Sequence, residues 1–228
     1  MFVTALLAAT LAAPVPKTGP KLADLFGEPT EAKGKCTFEM DRAGVLTVTV
    51  PNDHPPSTWT ENAFLTPLLA KTVDGDFVLT VRLTLSPAEG AGENRKNRLP
   101  SVGGGVAVRA ASGVDVGAVA AVERRRLKGV WGNDRQLAVA EAGPGGKVEG
   151  GIGLNGSLAD GPIRIRLTRR GEELTVEWAE DGKKWEKPCD RKLTGLTGAV
   201  TVGPVAFQST DKEFIATFDE YTIEPLKK

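Results

Sequence analysis

Six residues of this chain have the chemistry to grip a sugar. Arg82, Arg109, Glu123 and Arg125 sit at alternating positions in strand-like runs, and Trp59 and Trp131 stand in polar, turn-rich stretches. Guanidinium and carboxylate groups exchange directed hydrogen bonds with hydroxyls, and an exposed indole can lie against the C–H face of a pyranose ring. Val81 and Leu83 flank Arg82, so that when they turn to a core the arginine turns away from it; Val106 and Val108 place Arg109 in the same way. Trp178 and Trp185 read differently, as core and hairpin-packing rings.

Other chemistries fail on spacing. Retaining cleavage of a glycan by a Glu-x-Asp-x-x-Glu strand needs two carboxylates about 5.5 Å apart. Glu39-Met40-Asp41 begins that pattern, but Gly44 stands where the second glutamate belongs and Asp41 opens a turn. Gly151 to Gly156 matches G-x-G-x-x-G, yet Asp160-Gly161-Pro162 and a strand follow where a dinucleotide site needs a helix, so the segment reads as a glycine-rich β-turn. His54 is the only histidine and lies beside prolines in a loop, a poor place for a general base. With one histidine and two cysteines there is no zinc-ligand spacing, and neither a metal nor a cofactor is expected. Asn155-Gly156-Ser157 is a formal glycosylation sequon.

Lys plus Arg equals Asp plus Glu at 29 each, which gives no net field to draw the chain to nucleic acid or an anionic membrane. The basic run Arg124-Arg125-Arg126 and the set Arg164, Arg166, Arg169 and Arg170 read as wet strand faces paired with glutamates. Phe2 to Ala13 is apolar and ends in small residues before Pro14. It resembles a secretory signal over residues 1–13, and it is too short to span a bilayer, which takes about 20 apolar residues. A secreted or periplasmic protein is therefore expected. In such a compartment Cys36 and Cys189 either form one disulfide, worth on the order of 5 kcal/mol in the chain-entropy picture, or stay as two separate thiols.

The elements that must position these groups are strands. The 27 glycines and 15 prolines leave little room for a long helix. Ile163, Ile165 and Leu167 alternate with Arg164, Arg166 and Thr168; after the turn at Arg170-Gly171-Glu172, Leu174, Val176 and Trp178 alternate with Thr175, Glu177 and Ala179. This is a hairpin with one dry face. Further strands are expected at 36–40, 45–50, 76–85, 106–110, 114–126, 136–142, 147–154, 198–207 and 214–223, with a long loop at 87–105. About eleven to thirteen short strands must close a barrel or stack as two sheets, and the mixture of large and small inward residues favours an all-β, two-sheet antiparallel jelly-roll sandwich. Residues 14–35 read as linker and lead-in, and 36–226 as the domain.

The order of GDFVLTVRLTL, GGVAVRA, PIRIRLTRRGEELTVEWAEDGKKW, GAVTVGPVAF and FDEYTI resembles the concanavalin A-like lectin/glucanase superfamily, within it the type called domain of unknown function 1349, or regulation-of-enolase-like. The resemblance runs from about Cys36 to Glu224 and implies a sandwich whose concave face meets carbohydrate. The expectation is thus an exported, non-catalytic domain, not an enzyme, that binds a polysaccharide or envelope glycan and neither nucleic acid nor, by a transmembrane segment, the bilayer. The alternatives are a structural or protein-interaction domain of the envelope and, third, a cryptic glycoside hydrolase.

Overall fold

The computed structural model describes residues 21–30, 36–52, 68–92, 100–112, 116–127, 130–131, 136–142, 148–154, 161–186 and 189–227, with the backbone alone for 126–154 and for Cys189. Two antiparallel sheets account for nearly all of it. One runs β13 (Cys189–Lys192), β12 (Glu173–Glu180), β11 (Ile163–Arg170), β5 (Phe77–Ser86), β15 (Phe214–Pro225), β3 (Leu46–Val50) and β2 (Thr37–Met40). The other runs β1 (Glu28–Pro29), β4 (Leu69–Val73), β14 (Val200–Gln208), β6 (Ser101–Ala110), β7 (Gly117–Leu127), β9 (Gln136–Ala142) and β10 (Val148–Leu154), with β8 (Val130–Trp131) beside β7. The fold is the expected jelly-roll sandwich.

The core is asymmetric. The seven-stranded sheet turns large side chains inward, among them Phe77, Leu79, Ile165, Leu167, Phe214 and Phe218, whereas the facing sheet offers Val106, Val108, Ala118, Ala120 and Val202. Bulky rows thus settle against small ones, which is how two flat layers reach close packing without voids.

Strand β15 manages its length with one bulge. Asp219 pairs with Arg82 and Thr222 with Thr80, so three residues of β15 advance against two of β5, and Glu220 takes φ 50. Such a bulge re-aims the side chains beyond it: Tyr221 turns inward, its ring 4.5 Å from that of Phe26. Burial pushes the Tyr221 hydroxyl well above tyrosine's ordinary value.

One end of the sandwich is closed by a charged side chain. Arg169, on the inward side of β11, is 2% exposed and donates to the carbonyl oxygens of Gly75, Gly171, Leu196 and Gly198, each at 2.9 Å. It ties three separate turns together, and desolvation lowers its pKa from the ordinary arginine value. It is not the wet strand-face arginine that its charge suggests: alternation with Ile163, Ile165 and Leu167 puts it on the inward face.

Several expectations need correcting. Residues 21–35 are not mere lead-in: a short helix, α1 (Leu22–Phe26), inserts Phe26 fully into the core. Strand β6 begins at Ser101, inside the stretch read as loop, and Gly151 to Leu154 lie in β10 and not in a turn. Cys36 and Cys189 do not form a disulfide. Cys36 is a free thiol beside edge strand β2, and Cys189 belongs to β13 at the opposite edge, six strand spacings away along the sheet, about 29 Å where a bridge needs Cα atoms within about 7 Å. Burial pushes the Cys36 thiol up to about 11, which keeps it protonated and unreactive at neutral pH.

Candidate functional site

The residues expected to share a site lie on the two opposite outer faces of the sandwich. Arg82 is on the seven-stranded sheet, and Arg109, Glu123 and Arg125 are on the eight-stranded one. Trp59 and His54 fall outside the described residues. Trp131 stands in β8, paired with Arg126 of β7, and not in a loop.

On the eight-stranded sheet the outward floor is made of small residues. Gly103, Gly105, Ala107, Val119 and Ala121 line it, and the ring of Phe207 lies directly on Gly103, where an added methyl would stand 2.2 Å from the ring's Cζ. Glu123 accepts a hydrogen bond from Arg125 Nη2 at 2.8 Å. Solvent hardly reaches the floor or the acid, with Val119 0%, Phe207 5% and Glu123 7% exposed, while Arg125 is one-third exposed. Arg109 does not join the pair. It is in register with Gly117 and Glu123 with Gly103, six residues along the strand and about 20 Å away.

The outward face of the seven-stranded sheet is open and chemically dense. Arg164, Arg82 and Asp219 stand side by side on β11, β5 and β15. Arg82 Nη1 donates to Asp219 Oδ2 at 2.8 Å, while its Nε and Nη2 donate to the two oxygens of Asp181 at 3.3 and 2.9 Å. Arg164 Nε lies 3.9 Å from Asp181. One row along, Arg166 makes a two-pronged bond to Glu177, both contacts at 2.6 Å. Arg82 and Arg166 are held above arginine's ordinary value by these hydrogen bonds, and Asp181 is held below the usual carboxylate range, chiefly by the bond from Arg82.

A tight turn completes the cluster. After β12 the chain reverses at Asp181-Gly182, with Gly182 at φ 72, a conformation that glycine adopts without strain, and the Glu186 N–H bonds back to the Trp178 carbonyl at 2.8 Å. This lays Trp185 over the sheet, its ring centroid 4.4 Å from the Arg166 guanidinium and 6.0 Å from that of Arg164. Trp185 is half-buried, backed by cations on the protein side. Residue types alone assigned it to hairpin packing; the available signal was the E-D-G-K-K-W turn, which folds the ring back onto the arginines of its own hairpin. Trp178, by contrast, packs partly buried against the core.

Elsewhere, a cleft of about 410 Å³ is lined by Pro51, Asn52, Ala88, Lys212 and Glu213. Its Lys212 ammonium is engaged with the Glu89 carbonyl at 2.8 Å, and no aromatic ring lines it among the described residues. Among the described residues, no group of three or more His, Cys, Asp or Glu side chains could hold a metal ion.

Comparison with known proteins places the fold. No family model matches the chain, and no curated protein matches it by sequence. Among solved structures, a functionally unknown protein from Saccharomyces cerevisiae aligns over 86% of this chain and 98% of its own at 16% identity, with a TM-score of 0.57. The carbohydrate binding module CBM66 from Bacillus subtilis aligns over 83% and 92% at 10% identity (TM-score 0.44), and the alginate lyase from Klebsiella pneumoniae over 83% and 84% at 14% (TM-score 0.46). At such identities the likeness shows the fold alone, a two-sheet antiparallel jelly-roll sandwich. The expectation that the chain is not an enzyme does not stand, as enzymes, an alginate lyase among them, are found among the similar structures.

Proposed function

We propose that this protein binds a glycan on the outward face of its seven-stranded sheet. The observation that carries this reading is Trp185: a half-exposed indole, immobilised on the Arg166 guanidinium at 4.4 Å, beside a row of charged groups fixed by their mutual bonds. A ring already held in place loses little freedom when a sugar stacks on it, and prepaired guanidinium and carboxylate groups present hydroxyl partners in a set geometry. The other outward face has a floor of small, buried residues, and its pair joins a buried Glu123 to a one-third-exposed Arg125 with no tryptophan ring beside it among the described side chains.

Presence of a carbohydrate binding module among the similar structures is in keeping with this reading. Export, for which the apolar run Phe2 to Ala13 speaks, belongs to the same proposal, and the amino-terminal sequence of protein recovered from its host tests it. The narrower kinship with the domain of unknown function 1349 type rests on the order of strand and turn segments alone.

Trp185→Ala is the decisive variant. It should weaken glycan binding by about 1–3 kcal/mol, roughly five- to 150-fold, while circular dichroism keeps its native β signature. Unchanged binding by Trp185→Ala, together with loss of binding on replacing Glu123 or Arg125, would move the site to the opposite face.

A further inference from the structure

We infer that the ligand of this face is a neutral polysaccharide and not a uronate polymer, an inference that rests on the binding reading above. The reason is charge compensation. Three guanidiniums, of Arg82, Arg164 and Arg166, meet three carboxylates, of Asp181, Asp219 and Glu177, each arginine lying within 4.0 Å of an acid. Arg82 spends donors on both Asp181 and Asp219, and Arg166 spends two on Glu177. A uronate arriving here meets carboxylates that already hold the cations, and it brings a like charge against them.

The neighbouring strands add hydroxyls and no cations. Thr84 of β5, Thr217 of β15 and Thr47 of β3 stand in one row, and Thr80 pairs with Thr222 in another. Across the outward positions of these three strands the sole basic residue is Arg82. A hydroxyl-rich polymer crossing from Trp185 over the Arg82 row toward β3 finds hydrogen-bonding partners throughout, while Asp219 and the exposed Glu220 and Glu224 of β15 leave these strands with more acid than base, which disfavours an anionic chain further. Specificity arises from the acids: Asp181 in particular occupies the place beside Arg82 and Arg164 that an anionic sugar would need, a repulsive element of the kind that separates related ligands.

Two readouts test this on the full-length protein: an array holding both neutral and uronic-acid glycans, and affinity electrophoresis in laminarin and in alginate at low and high salt. Neutral glycans should be retained, with little change on adding salt, and Trp185→Ala should cut that retention at least about fivefold. Asp181→Asn, at a side chain 46% exposed and therefore tolerant of change, should create alginate binding that salt abolishes, and a variant that gains none would overturn the part given to this carboxylate in excluding uronates. Binding of uronates by the native protein, lost in Trp185→Ala, would overturn the neutral-ligand inference and leave the site intact. Retention of no glycan, or retention indifferent to Trp185→Ala, would overturn the site itself.

Discussion

Two arginine-rich regions of this molecule do opposite work. At the closed end of the sandwich Arg169 is buried among four carbonyl oxygens and, among the described residues, is bonded to no carboxylate; on the outward face Arg82 and Arg166 are a quarter to a third exposed and bonded to acids. The buried cation cannot leave without stranding the acceptors of three turns, whereas the surface cations can exchange their partners for water at little cost. Residue type therefore does not tell structural from functional arginines here. Burial and the nature of the acceptor do.

This contrast predicts a steep gradient of effects. Arg169→Ala should be the most damaging, lowering unfolding free energy by about 3–5 kcal/mol in urea titration, because a buried charge and its bonds to several carbonyls vanish together. A loss under about 1 kcal/mol would mean that water replaces the guanidinium and that the end is not clamped. Gly103→Ala should cost about 1–3 kcal/mol, since the new methyl meets the Phe207 ring at 2.2 Å and one of them must shift; an unchanged melting temperature would show that the ring moves freely off the floor. Arg82→Ala should cost no more than about 1 kcal/mol of stability, as exposed ion pairs do, while altering glycan binding. The smallest effect is on pH. Asp181 has a depressed folded pKa, so its favourable interaction is fully present above the unfolded value of about 3.9 and is lost as pH falls through the depressed one. Binding should thus persist unchanged to about pH 4, and its loss between pH 7 and 5 would show that another group governs the face.

What alternation could say, it said. The hairpin of β11 and β12 pairs as expected, from Ile163 with Glu180 to Arg170 with Glu173, because a half-buried sheet forces apolar residues onto every second position. Glycine misled where it serves packing and not turning. Gly105 looks like loop, yet a Cβ there would stand 1.9 Å from the Ala120 carbonyl oxygen, so the strand tolerates nothing larger. Sheet order was out of reach for the cysteines, since nothing local to either one records that β2 and β13 end up as opposite edges. The candidate site was half legible: Arg82 is where its neighbours put it, but its company with Asp181 and Trp185 depends on one turn, and Arg109, Glu123 and Arg125 were joined to it only because period-2 reasoning names a face without saying which sheet owns it.

The extra residue at Glu220 acts as a parity switch for β15. Ahead of it the inward residues are Phe214, Ala216 and Phe218, at even numbers; beyond it they are Tyr221 and Ile223, at odd ones. The strand therefore has two reading frames, and an insertion or deletion there re-addresses every later side chain to the other surface. A lineage could drift in length at this position only by exchanging the inside and outside of the last strand at once, which makes Glu220 a fixed point for the fold's evolution although its own side chain lies in solvent.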